Sequence, residues 1–233
     1  MNITENIKTI IIKKPLKLDC GKTINNFPLA YETYGTLNKN KDNAILVFHA
    51  LTGDQFVTGI NPITKKSGWW SYAVGPNKSL DTNKYFIICA NVIGGCMGSF
   101  GPSHKNPETD KIYGTDFPVI TINDMVNAQV NLLDHFEIKK LFSIVGGSMG
   151  GMQVLQFVSN YPDKTNTVVP IACTSSHSAQ NIAFNELGRQ AIASDYNWLD
   201  GKYLSNNTLP EKGLSVARMA AHITYLSKKG LQE

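Results

Sequence analysis

An α/β fold is what this 233-residue sequence predicts. Four short, continuous apolar runs recur along it: Ala44-Ile45-Leu46-Val47-Phe48, Tyr85 to Ala90, Leu141 to Val145, and Thr167 to Ala172. Stretches of helical periodicity lie between and after them, and glycine or polar residues punctuate each run. Runs of this kind read as strands buried on both faces, as in a parallel sheet. Alternation of such strands with helices builds an α/β sheet with right-handed crossovers.

Taken in order, residues 8–18 carry β-branched Thr and Ile and then Leu16 and Leu18 in period-two fragments, and residues 28–35 alternate similarly. These two stretches are expected to pair antiparallel at a sheet edge. The polar residues 38–43 form the turn that follows. After the runs at 44–48 and 85–90 comes a helix over 121–136. Ile122, Met125, Val126, Leu132, Leu133 and Phe136 share its apolar face, with Gln129 the polar exception. A helix over 149–160, with Met152, Leu155 and Val158 on one face, follows the run at 141–145. Beyond Thr174 the strand signal stops, and residues 178–194 and 213–228 read as helices; in the second, Leu214, Ala217, Ala221 and Leu226 are apolar, with Met219 alongside. The expected organisation is a core over 1–175 and a helical part over 176–233.

The composition is that of a folded chain. Hydrophobic residues make up 42% and charged residues 17%, and the net charge is +4. No cluster of Lys and Arg interleaves with aromatics, which argues against nucleic acid as a partner. No run approaches the ~20 apolar residues of a membrane span. Ile10, Ile11 and Ile12 are too few for the ~7–15-residue apolar region of a signal peptide, so a cytoplasmic protein is expected. Cys20, Cys89, Cys96 and Cys173 are widely spaced, without a C-x-x-C pair, so neither a zinc site nor a disulfide framework is indicated. Buried thiols are the default reading, with Cys96 set apart because it lies in a loop.

Gly146-Gly147-Ser148-Met149-Gly150 carries the chemistry. It places G-x-S-x-G between a strand and a helix, the context a nucleophile elbow requires. The serine occupies a strained turn, and the flanking glycines leave room where a Cβ would strike strand and helix backbone. The helix begins at Met149, so its positive end faces the hydroxyl, and the Met149 amide becomes an oxyanion donor. A second donor should come from the loop after an earlier strand; the amide of Leu51, in His49-Ala50-Leu51-Thr52-Gly53, is the candidate. His49 precedes the serine, against the chain order of acid and histidine in such folds, and reads as a structural histidine that orders this loop. The Gly-rich stretch 91–102 matches neither a dinucleotide nor a P-loop pattern. It reads as a loop shaping a cleft at the carboxyl end of its strand.

Six segments occur in order: His49-Ala50-Leu51-Thr52-Gly53-Asp54; Trp69-Trp70; Gly94-Gly95-Cys96-Met97-Gly98-Ser99; Gly146 to Gln153; Ala179 to Glu186; and Ala217 to Ser227. Together they resemble the homoserine O-acetyltransferase family of the α/β-hydrolase superfamily, from about residue 10 onward. The resemblance implies an α/β-hydrolase fold, with a mostly parallel sheet, helices on both faces and the start of a helical lid. It implies ping-pong acyl transfer, in which Ser148 takes the acetyl group from acetyl-CoA and L-homoserine accepts it, for methionine synthesis. Leu51 and Met149 supply the oxyanion amides, and Arg218 on a lid helix binds the amino-acid carboxylate, a task suited to a planar guanidinium. No bound cofactor or metal is implied, and a homodimer contacting through lid helices is. Trp198 and Tyr225 then belong to that interface or to the core. An esterase-type serine hydrolase or a homoserine O-succinyltransferase are the alternatives.

Family members are longer, with their catalytic aspartate and histidine beyond the lid helices. The chain is therefore expected to be an N-terminal portion, incomplete at its C-terminal end and with little activity alone, because a serine without its base is a weak nucleophile. Asp195 or Asp200 with His222 stand in the right order but in a helical context, and His222 belongs to the lid helix.

Overall fold

A computed structural model describes residues 7–232, and residues 1–6 and 233, the outer ends of the two expected domains, lie outside the described residues. The chain forms two compact units, one of Met1–Gly101 with Pro118–Ser175 and one of Pro102–Phe117 with Ser176–Glu233. Residues 102–117, assigned to the core by the sequence, group with the helical unit: Gly114 and Gly201 approach so closely there that a Cβ on Gly201 would lie 2.3 Å from Thr115 Cγ2.

The first unit begins with β1 (Thr9–Ile12), β2 (Leu16–Lys17), β3 (Thr23–Ile24), β4 (Phe27–Tyr34) and β5 (Ala44–Phe48). It continues with β6 (Val74–Gly75), β7 (Leu80–Asp81) and β8 (Phe86–Ala90), then α1 (Ile122–Gln129) and α2 (Asn131–His135), and ends with β9 (Leu141–Gly147), α3 (Met149–Asn160) and β10 (Thr165–Ile171). Six strands make one sheet in the order β1-β4-β8-β5-β9-β10. β8, β5, β9 and β10 are parallel neighbours, while β4 pairs antiparallel with both β8 and β1. The expected antiparallel edge pair is therefore present as β1 with β4, but Leu16 leaves it to pair with Ile24 in a separate hairpin.

Period two splits each central strand between two cores. Ala44, Leu46 and Phe48 join Ile88, Ile144, Val126, Leu132, Leu133, Val154 and Phe157 under α1, α2 and α3. Ile45, Val47, Ile87, Cys89 and Val145 face the other way, where Val57, Val74, Trp69 and Trp70 cover them. The crossover 49–85 on that second face contains no α-helix among the described residues. It is broken by Gly59, Pro62, Gly68, Gly75 and Pro76 and braced by the stacked Trp69–Trp70 pair, with ring centroids 5.3 Å apart.

Three expectations need correction. The helix over 121–136 is realised as α1 and α2, separated at Val130. On α3 the buried residues are Gly150, Gly151, Gln153, Val154 and Phe157, whereas Met152, Leu155 and Val158 are only partly covered. Glycines and a glutamine hid the true inner face. β10 is not buried on both faces: it is an edge strand, and Val168, Val169 and Ile171 are 37%, 43% and 39% exposed because no strand lies beyond it among the described residues.

The second unit holds α4 (Ala179–Ala193), α5 (Glu211–Tyr225) and α6 (Lys228–Gln232), with short 3-10 turns at Gly114–Asp116 and Tyr196–Gly201. Ser178 caps α4, accepting from the Asn181 N–H at 3.2 Å. α4 and α5 pack through small residues: a Cβ on Gly213 would lie 2.4 Å from the Ala191 carbonyl oxygen. Leu214, one of the apolar residues of the second helix, is 47% exposed.

Candidate active site

The chain turns from β9 into α3 within a single residue. Ser148 has φ 55° and ψ −122° and is exposed, and helix α3 starts immediately after it. A serine at positive φ is strained and persists only where its surroundings fix it. Here its N–H donates to the Ile171 carbonyl at 3.0 Å, tying the turn to the end of β10, and its own carbonyl accepts from the Met152 N–H at 3.1 Å. The flanking glycines are required by backbone contacts: a Cβ on Gly146 would lie 2.4 Å from the Gly150 oxygen, and one on Gly150 would lie 2.1 Å from the Phe48 oxygen. Gly151 leaves space for Cys173, whose Cβ and Sγ would both be 2.7 Å from an added carbon. Gly147 meets nothing within 4 Å, so its place in the motif is not sterically enforced.

The topology also singles out this corner. From β5 the chain crosses to β8 on one side of the sheet order and then to β9 on the other. The loops leaving β5 and β9 therefore diverge at their carboxyl ends, the arrangement at which open α/β sheets form a binding crevice.

Two backbone donors are expected from the sequence, one at the start of α3 and one in the loop after β5. Met149 opens α3, and the first N–H groups of a helix have no intrahelical partner and carry its positive end. In the loop after β5, the Gly53 N–H donates to the Ala50 carbonyl at 2.9 Å, closing a turn whose own bond leaves out the Leu51 N–H. The Leu51 side chain is 73% exposed. The close approach of Gly150 to Phe48 and His49 sets the carboxyl end of β5, from which that loop departs, against the first turn of α3.

His49 is buried, and both its ring nitrogens are committed. Nε2 accepts from the Val92 N–H at 3.1 Å and lies 3.3 Å from Asn91 Nδ2. Nδ1 therefore carries the proton and donates to the Ala50 carbonyl at 2.8 Å. Burial pushes the imidazole below its ordinary pKa, against the smaller opposing effect of that carbonyl. A neutral ring with no free nitrogen orders two loops and abstracts nothing. Asp54 is likewise occupied: its carboxylate accepts from the Phe56 N–H at 2.8 Å and from Asn61 Nδ2 at 3.0 Å. Its carbonyl accepts from Trp69 Nε1 at 2.9 Å.

The Gly-rich loop after β8 is knitted to the sheet. Ser99 Oγ donates to the Asn91 carbonyl at 2.5 Å and accepts from the Ala30 N–H at 2.9 Å. Asn91 Oδ1 accepts from the Met97 N–H at 3.1 Å, and Gln55 Nε2 donates to the Met97 carbonyl at 2.9 Å. Gly94 and Gly98 supply the positive φ values, 82° and 104°, that the loop needs. The sequence reading puts Asn91 and Ser99 in a cleft-shaping loop without seeing their bonds, and it misses Gln55. The available signal was a polar residue directly after an apolar strand.

In the helical unit, Arg218 is exposed on α5 and lines a groove of about 490 Å³ with Ser215, Met219, His222, Ile223 and Leu231. No carboxylate pairs with it among the described residues. His222 Nδ1 lies 2.9 Å from the Arg218 carbonyl one helical turn back, and Asp195 accepts from the Gly213 and Asn197 N–H groups at 2.8 and 2.9 Å. Those bonds, the Gly213 one foremost, hold the Asp195 carboxyl below its ordinary pKa and commit it to the helix junction. The cysteines are not uniformly buried: Cys89 is buried, Cys173 partly so, and Cys20 and Cys96 are exposed. No group of three His, Cys, Asp or Glu among the described residues could hold a metal ion. No helix among them is long and apolar enough to cross a membrane.

Comparison with known proteins agrees with this geometry. A homoserine O-acetyltransferase from Pelagibacter ubique is 76% identical over all 233 residues, and one from Nitrobacter hamburgensis is 61% identical over 218. The chain spans 63% and 55% of the length of these two relatives. Among solved structures, esterase E22 superposes with a TM-score of 0.86 at 31% identity, covering 96% of this chain and 62% of its own. A homoserine O-acetyltransferase from Bacillus anthracis gives 0.83 at 30%, covering 94% and 60%. The family model described as alpha/beta hydrolase fold matches residues 43–230, which takes in the strand before the Leu51 loop, the sharp serine turn and the helices after it. That match covers most of the chain, and the chain belongs to the alpha/beta hydrolase fold family.

Proposed function

We propose that the protein to which this chain belongs is a homoserine O-acetyltransferase, acting in methionine synthesis. The observation that carries the reading is the 76% identity, over every residue of the chain, to a relative of that name. In the proposed reaction Ser148 Oγ attacks the thioester carbon of acetyl-CoA while its proton passes to a general base. The C–S bond then breaks and CoA leaves as the thiol. The hydroxyl of L-homoserine attacks the acetyl-serine in turn, its proton passes by way of the same base to Ser148 Oγ as the serine–acyl bond breaks, and O-acetyl-L-homoserine is released. The amides of Leu51 and Met149 stabilise the oxyanion of each tetrahedral intermediate, and Arg218 holds the homoserine carboxylate through paired N–H donors. His49 is occupied elsewhere, so the base is assigned to the part of the relatives' length that this chain does not span. By this reading the chain alone turns over slowly.

Acetyl-CoA is a substrate here, and no bound cofactor takes part. Two copies associate through the helices of the second unit, and the enzyme works in the cytoplasm. Division of the core at residue 175, with the helical part after it, is part of the same proposal.

The test is to join this chain to the remaining C-terminal part of the Pelagibacter ubique relative and follow CoA release from acetyl-CoA. Homoserine should accelerate release and yield O-acetylhomoserine, and Ser148→Ala should abolish both. Release at the same rate with and without homoserine overturns the transferase reading. It would favour the second one, an esterase, which the similarity to esterase E22 supports. Faster release from succinyl-CoA than from acetyl-CoA would reassign the donor.

A further inference from the structure

Gln129 interrupts the apolar face of the helical stretch that contains α1, and nothing in the proposed reaction uses it. It is fully buried, and so is Gln153 on α3. Gln129 Nε2 donates to Gln153 Oε1 at 2.7 Å. Gln153 Nε2 in turn donates to the His49 carbonyl at 3.3 Å and reaches the Met149 carbonyl at 3.4 Å. Gln129 Oε1 has no hydrogen-bond partner.

Stability alone does not explain this pair. A buried amide with one unmet acceptor costs free energy that methionine or leucine of similar volume would not. Its geometry does suggest an explanation. The peptide unit is planar, so fixing a carbonyl fixes the N–H on the other side of the bond. Gln153 grips the carbonyl of the His49–Ala50 peptide. The His49 ring and the Gly53 N–H grip the carbonyl of the next peptide, Ala50–Leu51, at 2.8 and 2.9 Å. That second plane carries the Leu51 N–H, which points opposite to the gripped oxygen. The same Gln153 amide also touches the residue that carries the other donor, Met149.

We propose that Gln153 is a positioning residue, braced by Gln129, that fixes the His49–Ala50 peptide plane relative to the first turn of α3 and, because the His49 ring and the Gly53 N–H lock the next plane to it, sets the direction of the Leu51 N–H. The catalytic meaning of this strut rests on the oxyanion role proposed for Leu51. The strut itself does not.

The two parts can be tested separately. Hydrogen exchange on the 233-residue chain is followed in peptides covering 49–54 and, as a fold reference, 86–90. Gln153→Met should speed exchange in 49–54 by about tenfold, as one lost hydrogen bond requires, and leave 86–90 unchanged. Gln153→Glu keeps the acceptor for Gln129 but loses the donor to His49, and should behave like Gln153→Met in 49–54. If Gln153→Met also loosens 86–90, Gln129→Met decides, because it leaves the donor of Gln153 in place: faster exchange confined to 49–54 supports the strut, and unchanged exchange overturns it. In the fusion with the Pelagibacter ubique C-terminal part, Gln153→Met should lower kcat by about 10- to 100-fold with KM for acetyl-CoA unchanged, as expected for a misdirected oxyanion donor. Unchanged exchange in 49–54 together with unchanged kcat refutes the proposal. Faster exchange with no transferase activity in any fusion, the unsubstituted one included, keeps the strut and removes the functional reading.

Discussion

One methyl group added at Gly150 would drive α3 away from the centre of the sheet. The new Cβ would lie 2.1 Å from the Phe48 oxygen, 2.8 Å from the Phe48 carbonyl carbon and 3.1 Å from the His49 oxygen. These are backbone atoms of a central strand and the loop leaving it, so no side chain can rotate to make room. Restoring ordinary contact needs a displacement of about 1 Å. Val154 and Phe157 sit on the same helix and are fully buried, so the shift would open space beside both. Against this, alanine is favoured over glycine inside a helix by about 1 kcal/mol. Overpacking with partial loss of core contacts outweighs that gain, and Gly150→Ala should destabilise by about 2–4 kcal/mol. Gly147→Ala, which meets nothing within 4 Å, is the internal control and should stay within about 0.5 kcal/mol of the parent. Urea unfolding followed by circular dichroism measures both. A Gly150→Ala protein as stable as the parent, or a Gly147→Ala protein equally damaged, would refute the steric account of the turn.

Other consequences are as direct. Burial holds the folded-state pKa of His49 below its unfolded value, so below about pH 6.5 the unfolded chain binds a proton that the folded chain refuses. Stability attributable to this group is complete above that pH and falls as pH drops, by at most about 1.4 kcal/mol per pH unit. His49→Gln should flatten the acid side of the urea-midpoint profile, and an unchanged slope would contradict the neutral-ring assignment. With a thiol reagent, Cys20 and Cys96 should react in the native state and Cys89 only after unfolding, since burial both hides its thiol and pushes its pKa up; mass spectrometry of native Cys89 adducts would show otherwise. Arg218 is exposed and unpaired by carboxylates among the described residues, so Arg218→Lys should leave the melting temperature within about 1 °C. In the fusion protein it should raise KM for homoserine by about tenfold or more, and an unchanged KM would remove Arg218 from carboxylate binding.

What could be read along the chain was local. The apolar runs at 44–48, 86–90 and 141–145 are strands because their side chains fill both faces of a central sheet, and such residues announce themselves without reference to partners. G-x-S-x-G between a strand and a helix identified the turn at Ser148, because only that pairing of glycines tolerates the backbone contacts of Gly146 and Gly150. The inner face of α3 was not legible, since Gly150, Gly151 and Gln153 do not look like core residues until the Phe48 and His49 backbone is set against them. The same holds for β10, which has the composition of an interior strand and the position of an edge. Gln129 stood out as an anomaly in the sequence, but its meaning needed a partner 24 residues away and a carbonyl 104 residues from Gln153. Composition and periodicity decide which segments become strands and helices, because those preferences act over a few residues. Strand order and the neutral state of His49 depend on hydrogen bonds between distant segments, and only the packed tertiary structure brings those groups within reach of one another.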